Sequence, residues 1–127
     1  MELLNTGTTP VNLTGWKLHD NRGAANLEAL IFSGTVIFGG EFILLCNGKG
    51  GNFSFGIGGD DSVTLVDSLG TIVSTSGVLQ GLGSSDLSYQ REGDGSYVYS
   101  KPTPGSVNTF TLPNILINEV NSFLDQL

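Results

Sequence analysis

The sequence predicts an all-β domain, a sandwich or barrel of short antiparallel strands, on three observations. Short runs rich in Val, Ile, Leu, Phe and Thr recur at regular spacing with turn residues between them. Glycine is abundant, at 19 of 127 residues, which suits tight turns joining strands. Few windows carry the i, i+3, i+4, i+7 apolar pattern of a helix. A chain of this length makes one domain that buries roughly two thirds of its unfolded surface, so neither a disulfide nor a metal scaffold is needed to hold it.

The elements follow in order. Met1 to Asn5 reads as a strand, Thr6 to Pro10 as a turn and Val11 to Leu13 as a short strand. Gly15 permits a bend before Trp16 to His19, where alternation puts Trp16 and Leu18 on one face and Lys17 and His19 on the other. Trp16, the single tryptophan, is read as the core anchor. Asp20 to Gly23 is a polar loop. Ala29 to Phe38 is β-branched and broken by Ser33-Gly34, which predicts one kinked strand or two short ones. Gly39-Gly40 turns the chain into Glu41 to Cys46, apolar on both faces and so expected to be central or covered, with Phe42, Leu44 and Cys46 sharing a face.

Asn47 to Gly59 is glycine-rich and expected to be flexible, its Phe53 and Phe55 covering an open end of the core. Asp61 to Asp67 and Gly70 to Ser74 form the clearest hairpin, turned by Asp67-Ser-Leu-Gly70. Gly77 to Ser85 is a polar connection. Leu87 to Arg91 and Tyr97 to Ser100 are strands joined through Asp94-Gly95, a hairpin signal. Lys101 to Asn108 closes the unit. Residues 109–114 read as a linker, and Ile115 to Asn121 as a strongly β-forming segment within a terminal piece, 115–127.

Charge narrows the function classes. The net charge is -7, with five basic residues and no basic run, so the long-range field has the wrong sign for a phosphate backbone. A nucleic-acid partner is therefore not expected. No stretch approaches the roughly 18 apolar residues of a membrane span. The N-terminus shows no signal peptide. One cysteine, Cys46, excludes an internal disulfide and a cysteine-rich zinc site. Two sequons, at Asn12 and Asn52, are weak evidence for secretion.

The order of several short motifs resembles the lamin tail domain (LTD) family, an immunoglobulin-like β-sandwich. Glu2-Leu3-Leu4-Asn5-Thr6-Gly7 is similar to the family's I-E-L-x-N-x-G, and Val11 to Asp20 to its V-x-L-x-G-W-x-L-x-D. Gly59 to Asp67 with Gly70 resembles G-D-x-V-x-L-x-D-x-x-G. Ser88 to Arg91 with Asp94-Gly95, and Thr103-Pro104-Gly105 with Asn108, resemble the closing S-x-x-R, D-G and T-P-G-x-x-N. One feature departs from the family. Its strand I-N-E-[IV] comes first, whereas Ile117-Asn118-Glu119-Val120 comes last here. Either the chain is a segment of a tandem array or it is a circular permutant. In both cases residues 1–108 form the lamin-tail-like sandwich, and Ile115, Ile117, Glu119 and Val120 belong to a strand, within 115–127, that fills the slot beside Met1 to Asn5 or opens a next repeat. That strand comes from the same molecule or, by swapping, from a second copy.

Candidate chemistry is sparse. His19 and Cys46 are each single, and their strand positions give no reason for a nucleophile pair. Asp60 and Asp61, with Asp20, offer oxygens for calcium, but a polar turn explains them as well. Glu2 and Glu119 fall on neighbouring strands, and Arg91 is the expected structural partner of one of them. Gly48-Lys49-Gly50-Gly51 lacks phosphate-loop spacing. Tyr89, Tyr97 and Tyr99 form cross-strand pairs or a stacking surface for sugar or peptide, with the pairs preferred.

With no triad, metal cluster or cofactor fingerprint, no catalytic residue and no cofactor are expected. The sequence and the resemblance together imply a non-catalytic structural or protein-interaction module of a multi-domain protein, extracellular or on the cell surface. The alternative is an accessory carbohydrate- or calcium-binding domain of a secreted hydrolase or nuclease.

Overall fold

The computed structural model describes residues 1–79 and 86–108; the expected linker at 109–114 and the strand at 115–127, with Ile115, Ile117, Glu119 and Val120, lie outside the described residues. Within them the chain is all-β, with no helix and every strand pairing antiparallel. The strands are β1 (Glu2–Leu4), β2 (Val11–Asn12), β3 (Lys17–His19), β4 (Leu30–Ile31), β5 (Val36–Ile37), β6 (Phe42–Leu44), β7 (Thr64–Val66), β8 (Ile72–Thr75), β9 (Ser88–Arg91) and β10 (Tyr97–Ser100). The largest sheet runs β4-β3-β7-β8; the others are the pairs β1-β6, β2-β5 and β9-β10. The architecture is the immunoglobulin-like β-sandwich.

Turn chemistry explains most boundaries. The Ala29 to Phe38 run divides into β4 and β5 at Gly34, whose φ of 70° falls in the left-handed region. The β7-β8 turn is closed by the Asp67 carboxylate, whose Oδ1 accepts from the N–H groups of Leu69 and Thr71, both at 2.9 Å. Asn5 holds the turn after β1: its Nδ2 donates to Thr9 O at 2.8 Å and Ile37 O at 2.9 Å, tying β1 to β5.

The core is Leu13, Leu18, Phe32, Ile37, Leu45, Phe53, Phe55 and Leu65, with Phe55, Leu13 and Leu18 the most completely enclosed. Three expectations need correction. Trp16 is half-buried and packs against this cluster from its rim; it precedes β3 and does not anchor the core. Phe53 and Phe55, expected as covers over an open end, sit inside, their ring centroids 4.7 Å apart. Their glycine-rich stretch is held by hydrogen bonds: Asn52 N–H donates to Cys46 O at 2.7 Å, Asn52 Oδ1 accepts from Cys46 N–H at 2.8 Å, and Gly48 N–H donates to Phe53 O at 3.1 Å. The third correction concerns Cys46, which is exposed. Register explains it. Leu3 lies opposite Ile43, and both pack on the core, whereas Leu44 lies opposite Glu2 and is 51% exposed. The face carrying Leu44 and Cys46 is therefore the outward one.

Candidate functional site

Two places gather the polar residues singled out in the sequence. The first is the loop after β3. Asp20 is buried, at 3% exposed, and Arg22 encloses its carboxylate: Arg22 N–H donates to Oδ1 at 3.0 Å, Nε to Oδ2 at 2.8 Å, and Nη2 lies 2.7 Å from Oδ2. Arg22 also pairs with Glu28. Hydrogen bonding from the Arg22 side chain holds the Asp20 carboxyl below the usual carboxylate range against the opposing effect of burial, and the two carboxylates raise the guanidinium in turn. Asp61, also buried, accepts from Asn21 N–H at 3.1 Å and Ser62 N–H at 2.7 Å through Oδ1.

Asp20, Asn21, Arg22, Glu28, Ile57 and Asp61 thus line an open depression of about 500 Å³. Two of the three calcium candidates, Asp20 and Asp61, meet there. Asp60 does not join the lining; it is exposed at φ 63°. The cation this arrangement supplies is Arg22. Among the described residues no group of three His, Cys, Asp or Glu side chains is placed to hold a metal ion. His19, beside this loop, hydrogen-bonds the Asp20 carbonyl through Nδ1 at 2.6 Å; a carbonyl only accepts, so that nitrogen carries the proton.

The second place is the edge of β1. One side of β1 pairs with β6, and among the described residues no strand pairs with the other. Glu2 Oε2 accepts from Gly105 N–H at 2.7 Å, across 103 residues of sequence. Gly105 sits in a turn closed by Ser106 N–H to Thr103 O at 3.1 Å, with φ 76°, a conformation only glycine adopts cheaply. The Glu2 carboxylate therefore brings the closing T-P-G turn to the first strand. Among the described residues the ion pairs belong to Arg22, so Glu2 does not take the Arg91 partnership expected for either Glu2 or Glu119. Arg91 is exposed, and its guanidinium folds back over the hairpin turn beside Gly95. A hairpin turn within the arginine's own reach competes with a carboxylate that a backbone N–H already satisfies. The pairing with Glu119 lies outside the described residues.

The β9-β10 hairpin carries the tyrosines. Tyr89 and Tyr99 are directly opposite, with centroids 5.0 Å apart; Tyr89 and Tyr97 stack at 5.1 Å with planes 6° apart. The first of these pairs is tilted and the second stacked face to face, so the tyrosines form cross-strand aromatic pairs. Burial raises the Tyr97 phenol above its usual value. On the opposite face Gln90 is buried: its Nε2 donates to Ser88 Oγ at 2.7 Å and Lys101 O at 2.8 Å, while its Oε1 and Thr103 Oγ1 have no hydrogen-bond partner among the described residues.

Sequence reasoning missed the Arg22 clasp and the Gln90 hub. Asp20-Asn21-Arg22 carried a signal, since a buried-strand end followed by Asp-x-Arg can close a two-residue carboxylate turn. Gln90 carried none, because its burial depends on how the hairpin docks.

Comparison with known proteins gives one match. Residues 1–79, more than half of the chain, match the family model described as Lamin Tail Domain. No curated protein and no solved structure matches.

Proposed function

The chain belongs to the lamin tail domain family, and we propose that it works as a protein-interaction module whose open β1 edge receives one further strand, residues Ile115 to Asn121. The strand comes from its own chain or from a neighbouring copy. The hydrogen bond from Gly105 N–H to Glu2 carries this reading. It brings the chain back to β1 ten residues before Ile115, and ten residues extend at most about 33–36 Å, ample to lie along a three-residue strand. An unpaired β1 edge presents main-chain N–H and C=O groups as a ready template for such addition. The segment suits the slot, since Ile115, Ile117 and Val120 are β-forming and apolar.

No catalytic role is assigned. The carboxylates that meet in the loop after β3 are occupied by Arg22 and backbone N–H groups. The acidic balance and the absence of a basic run support a place in a multi-domain protein outside the cell or on its surface. The test compares the full chain with one ending at Asn108 and then adds the 115–121 peptide to the shortened chain. The reading expects a lower unfolding midpoint on truncation and its recovery with peptide. Equal midpoints with and without the tail, and no peptide binding, would sink it.

A further inference from the structure

We propose that β8 is a self-association edge, at which two copies of this chain pair antiparallel about a two-fold axis. The strand is the last in its sheet, all four of its residues are exposed, and among the described residues no strand covers its outer edge. It lies in Ser68 to Ser85, the longest stretch of the chain without a charged side chain. Within that stretch Leu69 is 90%, Ile72 63%, Val73 50% and Val78 52% exposed.

Charge singles out this edge and identifies its occupant. A chain of net charge -7 repels its own copies, so like meets like only where carboxylates are absent. The other edges fail that condition or are too short. β1 carries Glu2, β6 follows Glu41, and the β9-β10 hairpin is bracketed by Asp86, Glu92 and Asp94. The strands β2, β4 and β5 have two residues each and offer no ladder. Proteins guard sheet edges with Lys, Pro, bulges or a covering element. β8 has one such guard. Ile72 faces Val66 and Ser74 faces Leu65, leaving Val73 as the extra residue of a bulge. The bulge limits the pairable run and makes the dimer weak, while the missing Lys and Pro leave it open. A two-fold contact needs a self-complementary patch, and an uncharged antiparallel ladder is one.

This surface lies on a different edge from the β1 slot, so the two proposals fail separately. The test is sedimentation equilibrium of the full chain over a concentration series at about 50 mM and about 500 mM NaCl. That change shortens the Debye length about threefold and screens repulsion between two acidic copies. The expected result is a monomer–dimer equilibrium that tightens with salt and weakens at least about tenfold, the effect of a like-charge clash, in Val73→Lys. Leu27→Lys, in the fully exposed loop before β4 and away from both edges, leaves it unchanged. A chain that stays monomeric at every concentration and salt overturns the proposal. So does a dimer indifferent to Val73→Lys but abolished by ending the chain at Asn108, which is the signature of strand exchange through the tail. Circular dichroism confirms that each variant is folded; should Val73→Lys unfold, Thr75→Lys replaces it and is expected to weaken the dimer in the same way.

Discussion

Replacing Phe55 by alanine removes the largest fully enclosed side chain of the domain. Phe55 is 1% exposed, and its ring lies 4.7 Å from that of Phe53 at an interplanar angle of 34°. Loss of a buried Phe side chain costs about 3–5 kcal/mol, combining transfer of the ring with the cavity left behind. The ring pair supplies about 0.5–1.5 kcal/mol of that beyond simple burial. We expect about 4 kcal/mol, because the hydrogen bonds that clamp residues 46–53 stop the loop from collapsing into the void. At about 2.1 cal/mol/K per residue of unfolding entropy, a chain of this length loses about 15 °C of Tm. The assay is urea unfolding followed by far-ultraviolet circular dichroism, with a thermal scan beside it. Phe38→Ala is the control; Phe38 is 59% exposed, and its loss is expected to cost under about 1 kcal/mol. A Phe55→Ala cost equal to that of Phe38→Ala would refute the placement of the glycine-rich stretch inside the core.

Three more outcomes follow from the same geometry. The folded-state pKa of Asp20 lies below its unfolded value of about 3.9, so its stabilisation is present above that pH and disappears as pH falls through the folded pKa. Asp20→Asn should therefore lower the urea midpoint at pH 6, with the gap to the parent narrowing on acidification; a gap that widens in acid contradicts the clasp. Gly39→Ala builds a Cβ 2.7 Å from the Thr8 carbonyl carbon and should cost about 1–3 kcal/mol by overpacking against backbone. Gly58→Ala meets no atom within 4 Å and should be neutral or slightly stabilising, which denaturant curves for the two variants will compare. Trp16, the single tryptophan, is half-buried, so acrylamide should quench its fluorescence in the folded protein; complete protection would restore it to the centre of the core.

Strand existence was legible in the sequence because turn residues mark it. Gly34, Gly70 and Gly95, with φ of 70°, 86° and 90°, stand where the chain reverses or breaks, and the strands β4, β5, β7, β8, β9 and β10 fall between them as read. The family was legible from the order of its motifs, and the match over residues 1–79 agrees with that reading. Core membership was less so. Period-two alternation says which residues share a face but not which face turns inward. Glu41 to Cys46 is apolar on both faces, and only its register with β1 turns Ile43 and Leu45 in and Leu44 and Cys46 out. Phe53 and Phe55 sit in a stretch without strand pattern, so their burial depends on long-range closure. Polar partners were the least legible part. Glu2 is satisfied by a backbone N–H 103 residues away, and no local pattern distinguishes that from an ion pair with Arg91.

The central claim is that residues 115–121 complete the sheet at β1. Isotope-filtered NOE spectroscopy tests it most directly, on the full chain and on a mixture of differently labelled chains. Backbone NOEs are expected between Glu2–Leu4 and residues 115–121, within one chain for closure in the same molecule and across labels for exchange. Slow amide exchange should appear on both strands together. The absence of any such NOE, with β1 amides on the open edge exchanging as freely as those of a solvent-exposed strand, would contradict it.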